Sequence, residues 1–342
     1  MTNIPVIDPF GAREDPELPT LTQALDPVAV QKQFTGRLPR LADQKAVVSP
    51  RAIRVTRHKP GRRCVVEYEV EVQRAGGPRE LLTLIGKTRA RRYGNADFRL
   101  LDALWNAGFQ SDSPDGASVP EPIGVVPRFR MALQRKVPGH ISTSALLGSE
   151  GVLLARRIAE AIHKLHRAGV APRRSHTMKD ELRILREHVP LAAQARPQWT
   201  ERLARILAAC DRLGATVTGA RRCGIHRDFY SAQVIVDQAR LWILDFDLYC
   251  HGDEALDVCN FIGHLTELAL RTFGDATALA DREKAMEDRF VELAGEPARP
   301  AVRVYATLTL VRHIYLSTQF ADRSLGTERL IQLCEQRLGL PR

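Results

Sequence analysis

The stretch GIHRDFYSAQVIVDQARLWILDFDLYCHGDEALDVCNF, residues 224–261, concentrates the side chains that moving a phosphoryl group to a hydroxyl requires. That chemistry needs a base for the hydroxyl proton and oxygen ligands that hold Mg²⁺ against nucleotide phosphates. It also needs a cation that grips the phosphates from the other side. Asp228 lies two residues after His226, Gln233 five after Asp228, and Asp245 twelve after Gln233. A carboxylate, a side-chain oxygen five residues on and a second carboxylate on a paired strand can converge on one metal–phosphate centre. The blander readings are an Asp228 that caps backbone amides in a turn and a Gln233 that sits as a core-edge amide. An acid ending an apolar strand, as Asp245 does, is costly without a partner.

The elements that must position these residues are legible from periodicity. Gln233 to Val236 and Leu241 to Phe246 read as a strand pair joined by a short polar turn. Upstream, Val66, Tyr68, Val70 and Val72 alternate with Glu67, Glu69 and Glu71, a period of two. Residues 51–58, 63–73 and 80–88 therefore read as three antiparallel strands. A helix follows from about Ala96 to Ala107, then strands at 123–126 and 129–137. Pro138-Gly139 breaks the chain.

Beyond that break the sequence is mainly helical, with predicted helices at 150–168, 177–189, 200–213, 261–273, 280–294, 300–320 and 326–338. His163 and His166 read as lying on the polar face of the first of these. Residues 1–45, punctuated by prolines, read as a peripheral extension with one short helix around Val28 to Phe34. The plan is α+β: an N-terminal extension 1–45, a strand-rich lobe 46–138 and a helical lobe 139–342 carrying the functional hairpin.

At this point the sequence resembles the aminoglycoside phosphotransferase and choline kinase-like family, which has the bilobal protein-kinase fold. The family's HxD(x4)N loop is matched by His226, Asp228 and Gln233, with Gln in place of Asn. Its metal aspartate is matched by Asp245, and its later G-D-x-x-x-D pattern by Gly252, Asp253 and Asp257. The resemblance implies ATP or GTP between the lobes, with Mg²⁺ on Gln233 and Asp245 and Asp228 as the base. His226 and Asp257 would orient the loop.

It also implies a lysine on the third strand, matched by Lys87, paired with an acid on the next helix. Asp97 stands there where Glu is usual. Arg62, in the turn His58 to Arg63, would lie over the phosphates, although a solvated basic turn reads equally well. Leu133 to Gly139, with Arg135 and Val137, would hold the adenine through its backbone. No GxxxxGK[ST], GxGxxG, Asp-Phe-Gly or Ala-Pro-Glu occurs, so the protein-kinase branch fits less well.

Composition narrows the alternatives. The chain has 342 residues, 44% hydrophobic and 26% charged, the profile of a globular protein of two domains. No apolar run approaches a membrane span and no secretory leader is evident, so a cytoplasmic enzyme is the expectation. Six cysteines without CxxC spacing read as free thiols. The net charge is +10 and sits mainly between Arg51 and Arg92, where 12 Lys/Arg face 4 Glu.

That charge also motivates a nucleic-acid-binding reading. Only 6% of residues are aromatic, a single one, Tyr68, falls within the basic stretch and no recognition motif appears, which argues against it. A nucleotide-binding pseudokinase, motivated by Gln233 and Asp97, is the other alternative. The acceptor, whether aminoglycoside, sugar or amino alcohol, is not readable.

Overall fold

A computed structural model describes residues 4–35, 38, 40–41, 46–74, 76–90, 95–219, 221–324 and 326–341. Arg91 and Arg92, the end of the basic stretch, lie outside them. The chain divides into two compact units, Met1–Pro138 and Gly139–Arg342.

The first unit is built on a six-stranded sheet. Its order is Val6–Ile7, Val47–Lys59, Arg63–Gln73, Arg79–Arg89, Met131–Arg135, Pro122–Val126. All pairs are antiparallel except the first, where Val6–Ile7 runs parallel to Val47–Lys59. Alternation along Arg63–Gln73 sends Val66, Tyr68, Val70 and Val72 into the core, each 0% exposed. Burying each such side chain contributes about 1.5–3 kcal/mol.

The other half of that core corrects an expectation. Residues before 46 are not peripheral: Leu18, Leu21, Leu25, Val30 and Phe34 are buried in the same cluster as the sheet. The Tyr68 hydroxyl donates to the Ala24 carbonyl at 3.0 Å, and the Phe34 and Tyr68 rings meet edge-on at 5.2 Å. Proline punctuation hid short helices whose apolar residues the strand face requires.

The second unit is mainly helical. Its long helices include Gly151–Arg167, Met178–Ala195, Thr200–Gly214, Ala255–Phe273, Ala280–Ala294 and Arg299–Thr318. The helix predicted at 261–273 starts earlier, at Ala255, and so carries Asp257. Val234–Asp237 pairs with Arg240–Ile243 on one side and His140–Ile141 on the other. Gly139 makes the last pairing possible: its φ is +98°, and a Cβ there would meet the Val236 carbonyl oxygen at 2.2 Å. A second pair, Arg222–Ile225 with Cys250–Asp253, was not evident from sequence, being four residues long and interrupted by glycine. It clamps the start of the 224–261 stretch to its middle.

All six cysteines are free thiols. Among the described residues no helix is long and apolar enough to cross a membrane.

Candidate active site

In the second unit one carboxylate organises the chemistry-bearing loop. Asp257, fully buried in the first turn of its helix, accepts the backbone N–H of His226 at 2.8 Å and that of Arg227 at 2.6 Å. His166 Nε2 lies 2.9 Å from the same carboxylate. His166 is thus buried against the loop anchor, not on a polar helix face; helical periodicity alone could not reveal a partner 91 residues away. The grip on Arg227 holds it in the left-handed region at φ 70°. That conformation costs a residue with a Cβ roughly 1–2 kcal/mol.

His226 is equally buried. Its Nε2–H donates to the Leu244 carbonyl at 2.7 Å, and its ring packs against Phe229 and Phe246. The imidazole therefore ties the loop to the residue before Asp245. Asp245 is itself left-handed, φ 59°, at the start of the turn Phe246–Leu248 that contains Asp247.

Gln233 ends the helical turn Ser231–Gln233, just before the strand where it was expected. Its carbonyl accepts the Leu244 N–H at 2.8 Å. Asp228, Gln233 and Asp245 are thereby carried by one frame of hydrogen bonds. Burial raises the Asp228 pKa. His226, Arg312 and Arg227 pull against the rise while Asp245 adds to it, and the net shift is upward.

Sequence reasoning missed Arg312, although an arginine inside the apolar run VYATLTLVRHIYL was a signal. It projects from Arg299–Thr318 and bonds the Asn260 side-chain oxygen and, at 3.4 Å, Glu181. Asn260 in turn donates to the Phe229 carbonyl at 2.8 Å, next to Asp228. Burial would raise the Glu181 pKa, but the hydrogen bond from His176 and the charge of Arg312 outweigh it and hold it low. Arg312 is thus a fixed cation in the field of Asp228.

In the first unit, Lys87 lies on an interior strand, directly across from Val65 and Ala132. Gly86 and Thr88 face the core, so Lys87 and Ile85 share the opposite, half-buried face. Arg89 Nε stands 3.3 Å from Asp97. Asp97 is therefore engaged with Arg89, a neighbour of Lys87 that the sequence reading had not considered.

Arg62 is exposed in the Lys59–Arg63 turn, whose Lys59 ammonium has a lowered pKa through partial desolvation and the charges of Arg63, Arg57 and Arg62. The turn is anchored by Asp15, which accepts the Gly61 N–H at 2.8 Å and lies 2.7 Å from His58 Nε2.

Arg135, in the segment expected to hold the adenine, is tied to the sheet. Its guanidinium is held by Glu121 at 2.7 Å and Glu80 at 3.6 Å, and its N–H donates to the Glu121 carbonyl. The Lys136 N–H goes to the Thr83 carbonyl. Both residues secure the sheet, and Val137 is the next position along the segment.

Residues 67–293, about two thirds of the chain, match the phosphotransferase enzyme family. No curated protein matches by sequence. Among solved structures, the amicoumacin kinase hAmiN in complex with AMP-PNP, Ca²⁺ and Ami is similar. It has a TM-score of 0.59 at 14% identity, over 93% of this chain and 95% of that one. A choline/ethanolamine kinase family protein from Mesorhizobium loti gives 0.56 at 14%, over 94% of each.

A thermostable mutant of aminoglycoside phosphotransferase APH(4)-Ia, in ternary complex with AMP-PNP and hygromycin B, gives 0.56 at 16%. It covers 91% of this chain and 98% of that one. Likeness at such low identity shows the fold, which is kinase-like and α+β, as the sequence implied. The family match extends from the middle of the strand-rich unit through the Asp228–Asp257 frame, and by it the chain belongs to the phosphotransferase enzyme family.

Proposed function

We propose that this protein is a kinase of small hydroxylated molecules, moving the γ-phosphate of ATP or GTP to an aminoglycoside, sugar or amino-alcohol hydroxyl. The observation that carries the reading is the Asp257–His226 frame, which fixes the loop bearing Asp228 to the strand pair that Gln233 precedes and Asp245 follows.

Asp228 accepts the proton of the attacking hydroxyl, and burial supports that role by giving its carboxylate more basicity than an exposed aspartate has. Gln233 and Asp245 offer hard oxygen donors, a set that fits Mg²⁺. When bound, that ion would neutralise phosphate charge. Arg312 offsets the negative charge gathered by Asp228 and Asp245.

Lys87 meets the nucleotide phosphates, and Arg62 and Lys59, crowded by like charges, gain from an anion nearby. The apolar shelf of Val65, Ile85 and Ala132 beside Lys87 suits a flat base. With Arg135 and Lys136 committed elsewhere, the backbone contact to the base falls to Val137. Asp97 steadies Arg89 next to Lys87.

The test is a panel of aminoglycosides, sugars and amino alcohols assayed for nucleotide consumption, with Asp228→Asn as control. Turnover abolished by the substitution supports the reading. Equal activity in the variant removes Asp228 from the mechanism, and nucleotide binding with no turnover on any acceptor favours a regulatory pseudokinase.

A further inference from the structure

Behind the loop anchor, three side chains from three elements converge. His166 lies near the end of Gly151–Arg167, Cys223 is on the strand Arg222–Ile225, and Glu254 immediately precedes the helix Ala255–Phe273. The pairing of Cys223 with Gly252 brings Glu254 beside the thiol. One ligand atom from each lies within 4.8 Å of the others; His166 and Glu254 are buried and Cys223 is half-buried.

Two of those side chains carry buried polar atoms without a hydrogen-bond partner. Asp257 is an acceptor, so His166 Nε2 donates to it, and the other ring nitrogen, Nδ1, has no hydrogen-bond partner. Glu254 Oε2 is likewise buried and without a hydrogen bond. Arg221 Nε stands 3.8 Å from that oxygen, on a side chain that is 47% exposed. A buried polar atom left unmet destabilises the fold. Two such side chains in one cluster with a thiol point to a common occupant that accepts electron pairs.

We propose that His166, Cys223 and Glu254 bind a divalent transition-metal ion of the zinc type, one per chain. An imidazole, a thiolate and a carboxylate make a donor set for zinc or cobalt, and the sulfur disfavours magnesium. Ligands on one tetrahedral ion, at roughly 2.0–2.3 Å, stand roughly 3.3–3.8 Å apart, so the cluster closes by at most about 1.5 Å on binding. Asp257 backs His166 in the arrangement that orients a metal-bound imidazole. Cys223 gives up its thiol proton to solvent as the metal–sulfur bond forms. The fourth position, on the half-exposed side of Cys223, is filled by water. Because Asp257 also holds the His226 and Arg227 amides, the ion stiffens the loop through a single carboxylate.

The inference stands apart from the kinase reading, and its test does not use catalysis. The full chain, stripped with chelator, is titrated with Co²⁺ and followed by absorption. One equivalent should bind with tetrahedral d–d bands and a near-ultraviolet thiolate-to-cobalt charge-transfer band, and Zn²⁺ should displace it. Cys223→Ser should lose the charge-transfer band. Glu254→Gln, which keeps the side chain's shape, should weaken Co²⁺ binding at least tenfold while circular dichroism stays unchanged. No thiolate band in the native chain overturns the proposal, as it would if water bridges the orphaned atoms. A band that survives Cys223→Ser, or affinity untouched by Glu254→Gln, overturns it as well.

Discussion

Each unit of the molecule holds one turn or loop in place with a buried aspartate and a histidine, but the two anchors differ in origin. In the first unit Asp15 reaches across from an early segment to take the Gly61 N–H, with His58 beside it. In the second unit Asp257 follows its loop closely, takes two successive backbone amides and is backed by His166. The first anchor shapes a turn whose residues stay exposed. The second also imposes left-handed backbone on Arg227. The loop that carries Asp228 is thus fixed by its anchor at two successive amides, while Asp15 takes one amide of the proposed phosphate turn.

The comparison can be broken in order of expected effect. Asp228→Asn should lower kcat by about 10²–10⁴ in a matched-substrate assay, the range for a general base. The same variant should melt no lower at pH 7 than the native chain. A carboxyl whose folded pKa is raised favours the folded state below its unfolded pKa, and that contribution is lost as pH rises through the folded value. A lower melting temperature would mean that Asp228 is structural.

Next, Asp257→Asn should cost about 3–5 kcal/mol in denaturant unfolding, because it breaks a buried charge network and leaves loop amides poorly paired. Asp15→Asn should cost less, about 1–3 kcal/mol, and raise the nucleotide KM more than it lowers kcat. Equal losses from the two substitutions would erase the distinction between the anchors.

The smallest effect is on pH dependence. The Asp15 pKa is lowered: desolvation would raise it, but the Gly61 amide and His58 prevail. Its stabilisation is therefore present above the unfolded aspartate value of about 3.9 and lost as pH falls through the folded one. The melting difference between native chain and Asp15→Asn should shrink on acidification. The acid limb of kcat/KM should lie above the ordinary aspartate range, and Arg312→Met should move it higher, since Arg312 lowers the Asp228 pKa.

How much of this was legible follows sequence distance. The strand predicted at 63–73 is Arg63–Gln73, because one-sided burial writes a period of two directly into the residues. Asp228, Gln233, Asp245 and Asp257 fall within thirty residues and keep a family spacing. The partner of His166 is not legible, because periodicity describes a helix and not what it packs against. Asp15 was hidden among prolines and acts 46 residues downstream. Arg312 was visible as a lone charge in an apolar helix, but what it meets, Asn260 and Glu181, is set by packing alone.

The early apolar segment has a consequence for biosynthesis. Thr20 Oγ1 donates to the Phe129 carbonyl at 3.1 Å, and the Phe34 and Phe129 rings lie 6.5 Å apart. Leu18, Leu21 and Phe34 therefore leave the ribosome long before the strands that cover them are complete. The separation in sequence is 109 residues for Thr20 and Phe129. Such non-local closure is slow and leaves apolar surface open in the nascent chain. Yield of this protein in a growing cell should depend on translation speed and on chaperone supply more than its finished stability would suggest.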